Sequence, residues 1–159
     1  MPVKNLHLMI RFSDTLYSVG DVVSKHNSVA NNCGYVWFGK IGATISQNRI
    51  DIINKQIDAG IPTYLFLAKG NRKKLTFYRA TLLKVSRKFE DKKKYVPKYY
   101  YDTKLIQYMH CWLKVTEIEP IESSALQKFK TVNSVFPLIE SMARSSSGYF
   151  LVHEDSIFY

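Results

Sequence analysis

Residues 63–85, TYLFLAKGNRKKLTFYRATLLKV, constrain the fold more than any other stretch. Two runs of β-branched and aromatic residues flank KGNRKK, whose Gly-Asn pair is a tight-turn signal. The pattern predicts a hairpin over 63–68 and 75–85, and a hairpin this apolar needs further strands beside it. LHLMIRF (6–12), YVWF (35–38), YMHCWLKVTEI (108–118) and YFLVH (149–153) supply them. Between these strands, a stripe at positions 19, 22, 23, 26, 29, 30 and 33 ends at Gly34, where a helix C-cap glycine belongs. Ile50, Ile53 and Ile57 mark a second helix face between an N-cap at Ser46 and Gly60. A helical turn is expected around Ser124–Lys130, and a helix over about Ser134–Arg144 with Pro137 confined to its first turn. The expected fold is α+β: a curved, mainly antiparallel sheet of five to six strands, a partial barrel, flanked by two to three short helices.

Charge is the most uneven property of the chain. Its 159 residues carry a formal net charge of +10. Thirteen Lys and Arg against three acids fall between Lys69 and Lys104, and the rest of the chain is balanced. One contiguous segment therefore carries the whole excess, as the contact for a polyanion would. It comprises the hairpin cations Lys69, Arg72, Lys73 and Lys74, and a Tyr-rich connection over about 86–104 with Arg87, Lys88, Lys92, Lys93, Lys94 and Lys98. Such lysines hold phosphates without reading sequence; a solvated charged face is the plainer alternative. The connection is longer than ordinary loops, and loops of that length are functional or disordered. Its Tyr99–Asp102 cluster can stack on extruded bases or pack the loop onto the domain.

Other features exclude classes. The length suits a single domain spanning 1–159. No apolar run approaches the roughly 20 residues of a membrane span. The N-terminus lacks a signal peptide's apolar stretch, so a cytoplasmic location is expected. Cys33 and Cys111 have no partner at metal-ligand spacing and are expected to be small buried hydrophobes. His7, His26, His110 and His153 are scattered, so neither a metal nor a cofactor is expected. The chain stops at EDSIFY without a tail, as a domain excised from a longer protein would.

The stretch GYVWFGKIG (34–42) points to a pocket. In a strand, Tyr35 and Trp37 face one side and Phe38 the other. Gly39 and Gly42 let backbone approach a ligand closely. Trp37 is the expected stacking wall for a flat ring, with core packing as its alternative. Ser13, Ser145 and Ser147, with backbone from Gly39, Lys40, Ala68 and Lys69, are expected to read the ring's polar edge; turn and helix capping is the alternative for each serine.

The order of motifs resembles the EVE domains of the PUA-like superfamily, relatives of the YTH readers of methylated adenine. The opening strand is LHLMIRF, the serine-acid turn Ser13-Asp14, and the helix start Tyr17-Ser18-Val19-Gly20-Asp21-Val22. The family's Trp and Gly-Val-Arg-Asn loop correspond to Trp37, Phe38 and Gly39-Lys40-Ile41-Gly42. FYRATLLKV, Trp112-Leu113-Lys114-Val115, Pro120 and Ser141-Met142-Ala143-Arg144 follow in family order, over roughly residues 6–152. The family's Arg-Asn is Lys40-Ile41 here, and its closing Gln-Pro-Val is Gly148-Tyr149-Phe150, so ligand identity does not carry over. The resemblance implies a base-holding pocket, often for a modified base, in specificity modules of modification-dependent restriction systems that act in phage defence. It adds Asp14 to the expected pocket.

The expected function is a non-catalytic nucleic-acid-binding module that flips a modified base, in DNA more than RNA, into an aromatic pocket. A following effector domain or a separate nuclease or NTPase subunit is the expected partner, and a membrane is not. Two alternatives stand beside it. One is a PUA-like binder of structured RNA. The other is a small ASCH-like amidohydrolase using Lys40 with Thr44, for which no nucleophile–base pair is recognisable.

Overall fold

The computed structural model describes residues 5–13, 21–42, 45–71, 74–132, 138–144 and 149–154. The expected turn residues Arg72 and Lys73, the loop residues Asp14 and Thr44, and Ser145 and Ser147 lie outside them. The described chain is α+β, with eight strands and four short helices around one open, mostly antiparallel sheet. Strand β1 (Leu6–Phe12) lies near its middle, followed by α1 (Val22–Cys33), β2 (Val36–Ile41), α2 (Gln47–Asp58) and β3 (Tyr64–Asn71). Next come β4 (Lys74–Ser86), α3 (Tyr99–Asp102), β5 (Met109–Val115), β6 (Glu119–Ile121), β7 (Phe129–Thr131), α4 (Leu138–Arg144) and β8 (Tyr149–Glu154). The strand order is β2-β5-β4-β3-β1-β8-β7, with β6 against β4.

The expected hairpin is β3–β4, paired from Tyr64↔Thr81 to Asn71↔Lys74. Strand β4 then continues past β3 and pairs its last residues with β5. The one parallel pairing among the described strands, β1 with β3, follows from the crossover through α1, β2 and α2. The sheet exceeds the expected five to six strands because β6 and β7, three residues each, are too short to show alternation. The turn expected over Ser124–Lys130 is a 3-10 turn at Ser123–Leu126 that runs into β7.

Strand β1 is apolar without alternation because both faces of the sheet are covered. Leu8 and Ile10 meet α1 and α2 through Val22, Val23, Ile50 and Ile53. Met9 points the other way, into Phe66, Phe129, Leu138 and Met142. Helix α1 starts at Asp21, whose carboxylate accepts from the Ser24 N–H at 3.0 Å, and ends at Gly34 with φ 88°. Ser46 caps α2 by accepting from the Arg49 N–H.

Three helix-borne amides hold backbone edge-on, two of them on strands and one on the connection before β6. Gln56 both accepts from and donates to the peptide groups of Leu6, each at 2.8 Å. Asn54 does the same with Val85 and Asn27 with Ile118. Each amide satisfies a backbone donor and acceptor together, and those on Leu6 and Val85 do so where a neighbouring strand is missing.

The basic connection is folded. It forms a 3-10 turn at Lys93–Tyr95, then α3, then a second 3-10 turn at Leu105–Tyr108. Its Val96, Tyr100 and Leu105 bury against Trp37 and Trp112 as a third apolar cluster. Between α3 and the second turn, Lys104 adopts φ 61° and ψ 20°, a left-handed conformation that costs a β-carbon-bearing residue energy. Lys104→Gly is therefore expected to raise stability by about 0.5–1 kcal/mol, net of glycine's greater freedom in the unfolded chain. A urea midpoint shifted upward at constant m-value measures it.

Candidate nucleic-acid interface

A cavity of about 220 Å³ opens where the ends of β1 and β2 meet the basic connection. Arg11, Phe12 and Ser13 come from the end of β1, Val22 from the first turn of α1, and Phe38, Gly39, Lys40 and Ile41 from β2. Tyr99, Tyr100, Leu105 and Met109 close the other side. The polycationic segment thus supplies one wall of the cavity itself. The volume lies below the roughly 300–1,000 Å³ of drug-sized sites and suits a single ring system.

A hydrogen-bond relay holds the walls together. The Val22 carbonyl lies 2.7 Å from His26 Nδ1, so that nitrogen carries the proton and donates. His26 Nε2 is left as an acceptor for the Tyr100 hydroxyl at 2.5 Å, and that hydroxyl accepts from the Gly39 N–H at 3.0 Å. Burial pushes the His26 pKa down to about 4, against a smaller upward pull from the bond to Val22. Burial likewise raises the Tyr100 pKa well above its ordinary value, so both groups are neutral. The His26 ring stacks on Phe38 at 4.4 Å and 23°. Of the Gly39 backbone expected to read a ligand edge, the N–H is taken by Tyr100. The glycine itself is required by crowding, since a Cβ there would overlap Met109 Sδ and press on Trp112.

Lys40 is 9% exposed and its Nζ donates to the Ile41 carbonyl at 3.2 Å. Burial lowers its pKa, opposed by the field of Cys111. Arg11 donates to the Met142 carbonyl, which ties this side of the cavity to α4.

Ser13, Phe38, Gly39 and Lys40 are the expected pocket residues that come together around the cavity. Trp37 does not line it. Alternation turns its indole to the opposite face, where it is 6% exposed under the basic connection and donates to Asp91 Oδ2 at 2.9 Å. The alternative of core packing describes its place, and the opening lies beside its neighbour Phe38. Tyr35 shares that outer face, donating to the same carboxylate oxygen at 3.0 Å and stacking on Tyr95. Burial opposes ionisation of Asp91, but the bonds from Trp37, the Lys92 N–H and Tyr35 outweigh it and lower its pKa. Ala68 is buried in the second core, and Lys69 extends over Tyr78; neither borders the cavity.

Among the expected phosphate ligands, Lys88, Lys92, Lys93, Lys94 and Lys98 are exposed. Lys93 lies over Tyr101, Lys94 over Tyr95, and Lys98 is 3.9 Å from Asp102. Arg87 instead clamps the Ile45 carbonyl with two donors. Lys74 begins β4 opposite Asn71. Cys111 is buried, whereas Cys33 is half-buried beside the Lys94 carbonyl. Of the cavity residues that the sequence did not suggest, Val22, Leu105 and Met109 look like ordinary core positions, and Arg11, Phe12 and Ile41 like ordinary strand positions; only strand pairing brings Met109 opposite Ile41. Among the described residues, no helix is long and apolar enough to cross a membrane.

A family model described as Pua-like matches residues 8–158. The chain belongs to the Pua-like family. No curated protein and no solved structure matched it in the corresponding comparisons. PUA-like domains are RNA- and DNA-binding modules, so the cavity and the basic segment beside it stand in a nucleic-acid-binding fold.

The relay, with the second buried histidine His7, makes two predictions about this PUA-like domain. Tyr100→Phe strands the Gly39 N–H and His26 Nε2 in the interior, and is expected to cost on the order of 2–4 kcal/mol in chemical denaturation. His26 and His7 both have folded pKa values of about 4 against 6.5 when free, burial being the main cause in each. The unfolded chain therefore binds more protons between those values. Their stabilisation is complete above pH 6.5 and is lost as pH falls toward 4, with a slope approaching about 1.4 kcal/mol per pH unit for each histidine. Urea midpoints measured across that range check the sign and the size.

Proposed function

We propose that this domain is a non-catalytic reader that holds one base, extruded from duplex DNA and carrying a modification, in the cavity between β1, β2 and α3. The observation that carries the reading is the cavity's composition: Tyr99 and Tyr100 of the polycationic segment form one of its walls. A base seated there has Lys98 next in sequence to its aromatic wall, and exposed Lys92, Lys93 and Lys94 on the same segment for neighbouring phosphates. Extrusion costs a few kcal/mol. Stacking returns about 1–3 kcal/mol per base. Tyr99 is half-buried and offers that ring, whereas Phe38 is already stacked on His26. Ser13 and Lys40 supply polar groups for the base edge, and a lysine favours bases that present oxygen or nitrogen acceptors. Asp14, Ser145 and Ser147 are proposed to complete the pocket, and Arg72, Lys73 and Lys74 of the hairpin to join the phosphate contacts. The choice of DNA over structured RNA follows the EVE-like order of motifs, as does a setting in a modification-dependent restriction system with a nuclease or NTPase partner.

One observation favours a second reading. Lys40 is a buried amine of lowered pKa inside a cavity, as a lysine-dependent amidohydrolase would require. No carboxylate lines the cavity among the described residues to work with it. Turnover of N-acylated cytidine would support that enzyme over the reader.

The test of the reader is a panel of duplexes with different modified bases at fixed salt. Tyr99→Leu and Lys40→Met are expected to bring the ratio of modified to unmodified affinity toward one while leaving general DNA binding. A ratio that survives both substitutions removes the cavity from base recognition.

A further inference from the structure

Strand β4 contains an irregularity that brings one lysine into register with another. Leu82 pairs with Val115 and Lys84 with Lys114, so Leu83 is an extra residue between them. Without it Lys84 would face Leu113, which is fully buried in the main core. With it Leu82 and Val85 are both buried at a spacing of three, and exposed Lys84 stands directly across from Lys114. Bulges re-aim side chains in this way. Like charges directly opposed on adjacent strands are destabilising, so the arrangement works against the fold.

Nothing among the described acids balances the pair by direct contact. The ion pairs seen lie elsewhere, Lys98 with Asp102 and Lys128 with Glu154. Asp91 feels the charge of Lys114, but Oδ2 already accepts from Tyr35 and Trp37, and Oδ1 from the Lys92 N–H. The pair also continues into the basic connection. Lys114 Nζ sits 4.1 Å from the Tyr35 ring centre, Tyr35 stacks on Tyr95 at 4.6 Å and 11°, and Lys94 Nζ lies 5.0 Å from Tyr95 on that connection.

We propose that Lys84 and Lys114 form a second phosphodiester-binding site, one end of a track that runs over the Tyr35–Tyr95 stack to Lys94. The polyanion relieves the repulsion that the bulge creates. This role rests on the nucleic-acid binding proposed above and extends it to a surface beyond the cavity. The track reads no base, because its ligand is the backbone.

Binding of labelled duplex DNA and of single-stranded RNA is followed by anisotropy across a salt series. The proteins are the unaltered chain, Lys84→Gln, Lys114→Gln, their combination, and Lys55→Gln on exposed α2 as a control. The salt dependence, log K against log salt, is expected to lose about one unit of slope for each track lysine and none for Lys55→Gln. Loss with both polymers supports a general phosphodiester track, and loss with one names its polymer. Modified and unmodified duplexes should weaken equally, so failure of the cavity appears in their ratio and failure of the track in the slope. The melting temperature should hold or rise in Lys84→Gln and rise in Lys84→Glu, which gains a cross-strand ion pair while binding weakest. Unchanged slopes, no binding by the unaltered chain, or a lower melting temperature in Lys84→Gln would overturn the proposal.

Discussion

The carbonyl of Val22 decides which way the protons point in the cavity wall. By accepting from His26 Nδ1 it fixes the imidazole tautomer, and the tautomer makes Nε2 an acceptor. The Tyr100 hydroxyl must then donate to it, which leaves the phenol oxygen able to receive the Gly39 N–H. Four groups from α1, α3 and β2 are satisfied in one direction, with no bond whose polarity can be reversed alone. Since Val22, Gly39 and Tyr100 all border the cavity, its shape is inherited from this chain of bonds.

The basic connection is held as firmly by apolar burial as by that relay. Trp37 and Trp112 stand on the outer face of the β2–β5 pair and would face water without it. A buried indole removes on the order of 150–250 Å² from solvent, which at about 25 cal/mol per Å² is several kcal/mol for each ring. Segments rich in lysine resist compaction by self-repulsion. Here two tryptophans beneath and one buried tyrosine within outweigh it, and the cations stay at the surface.

Much of this was legible in sequence. The period-two alternation of YVWF separated Trp37 from Phe38, and Gly34 and Ser46 marked where helices end and begin. The Gly-Asn pair read as a turn instead lies in β3, paired with Leu75 and Lys74. What alternation cannot give is which face acquires a cover. That depends on contacts between residues some sixty apart, such as Gly39 with Tyr100, and no local pattern announces them. The same blindness hid which ring borders the cavity: Trp37 turns away from it, whereas Tyr100 packs the connection onto the domain and Tyr99 lines the opening. Short strands such as EPI and FKT are equally silent, because three residues hold less than two periods.

The three amides that grip backbone require an uncharged side chain at each position. An amide offers a hydrogen and a lone pair side by side; an aspartate at Asn27 or Asn54 would turn an anionic oxygen toward the carbonyl of Ile118 or Val85. A change of a single mass unit would therefore remove a donor that holds α1 to the connection before β6 or α2 to β4. Asn27 lies one residue from His26, so an aspartate there would set a charge against a carbonyl in the helix that carries the relay's imidazole.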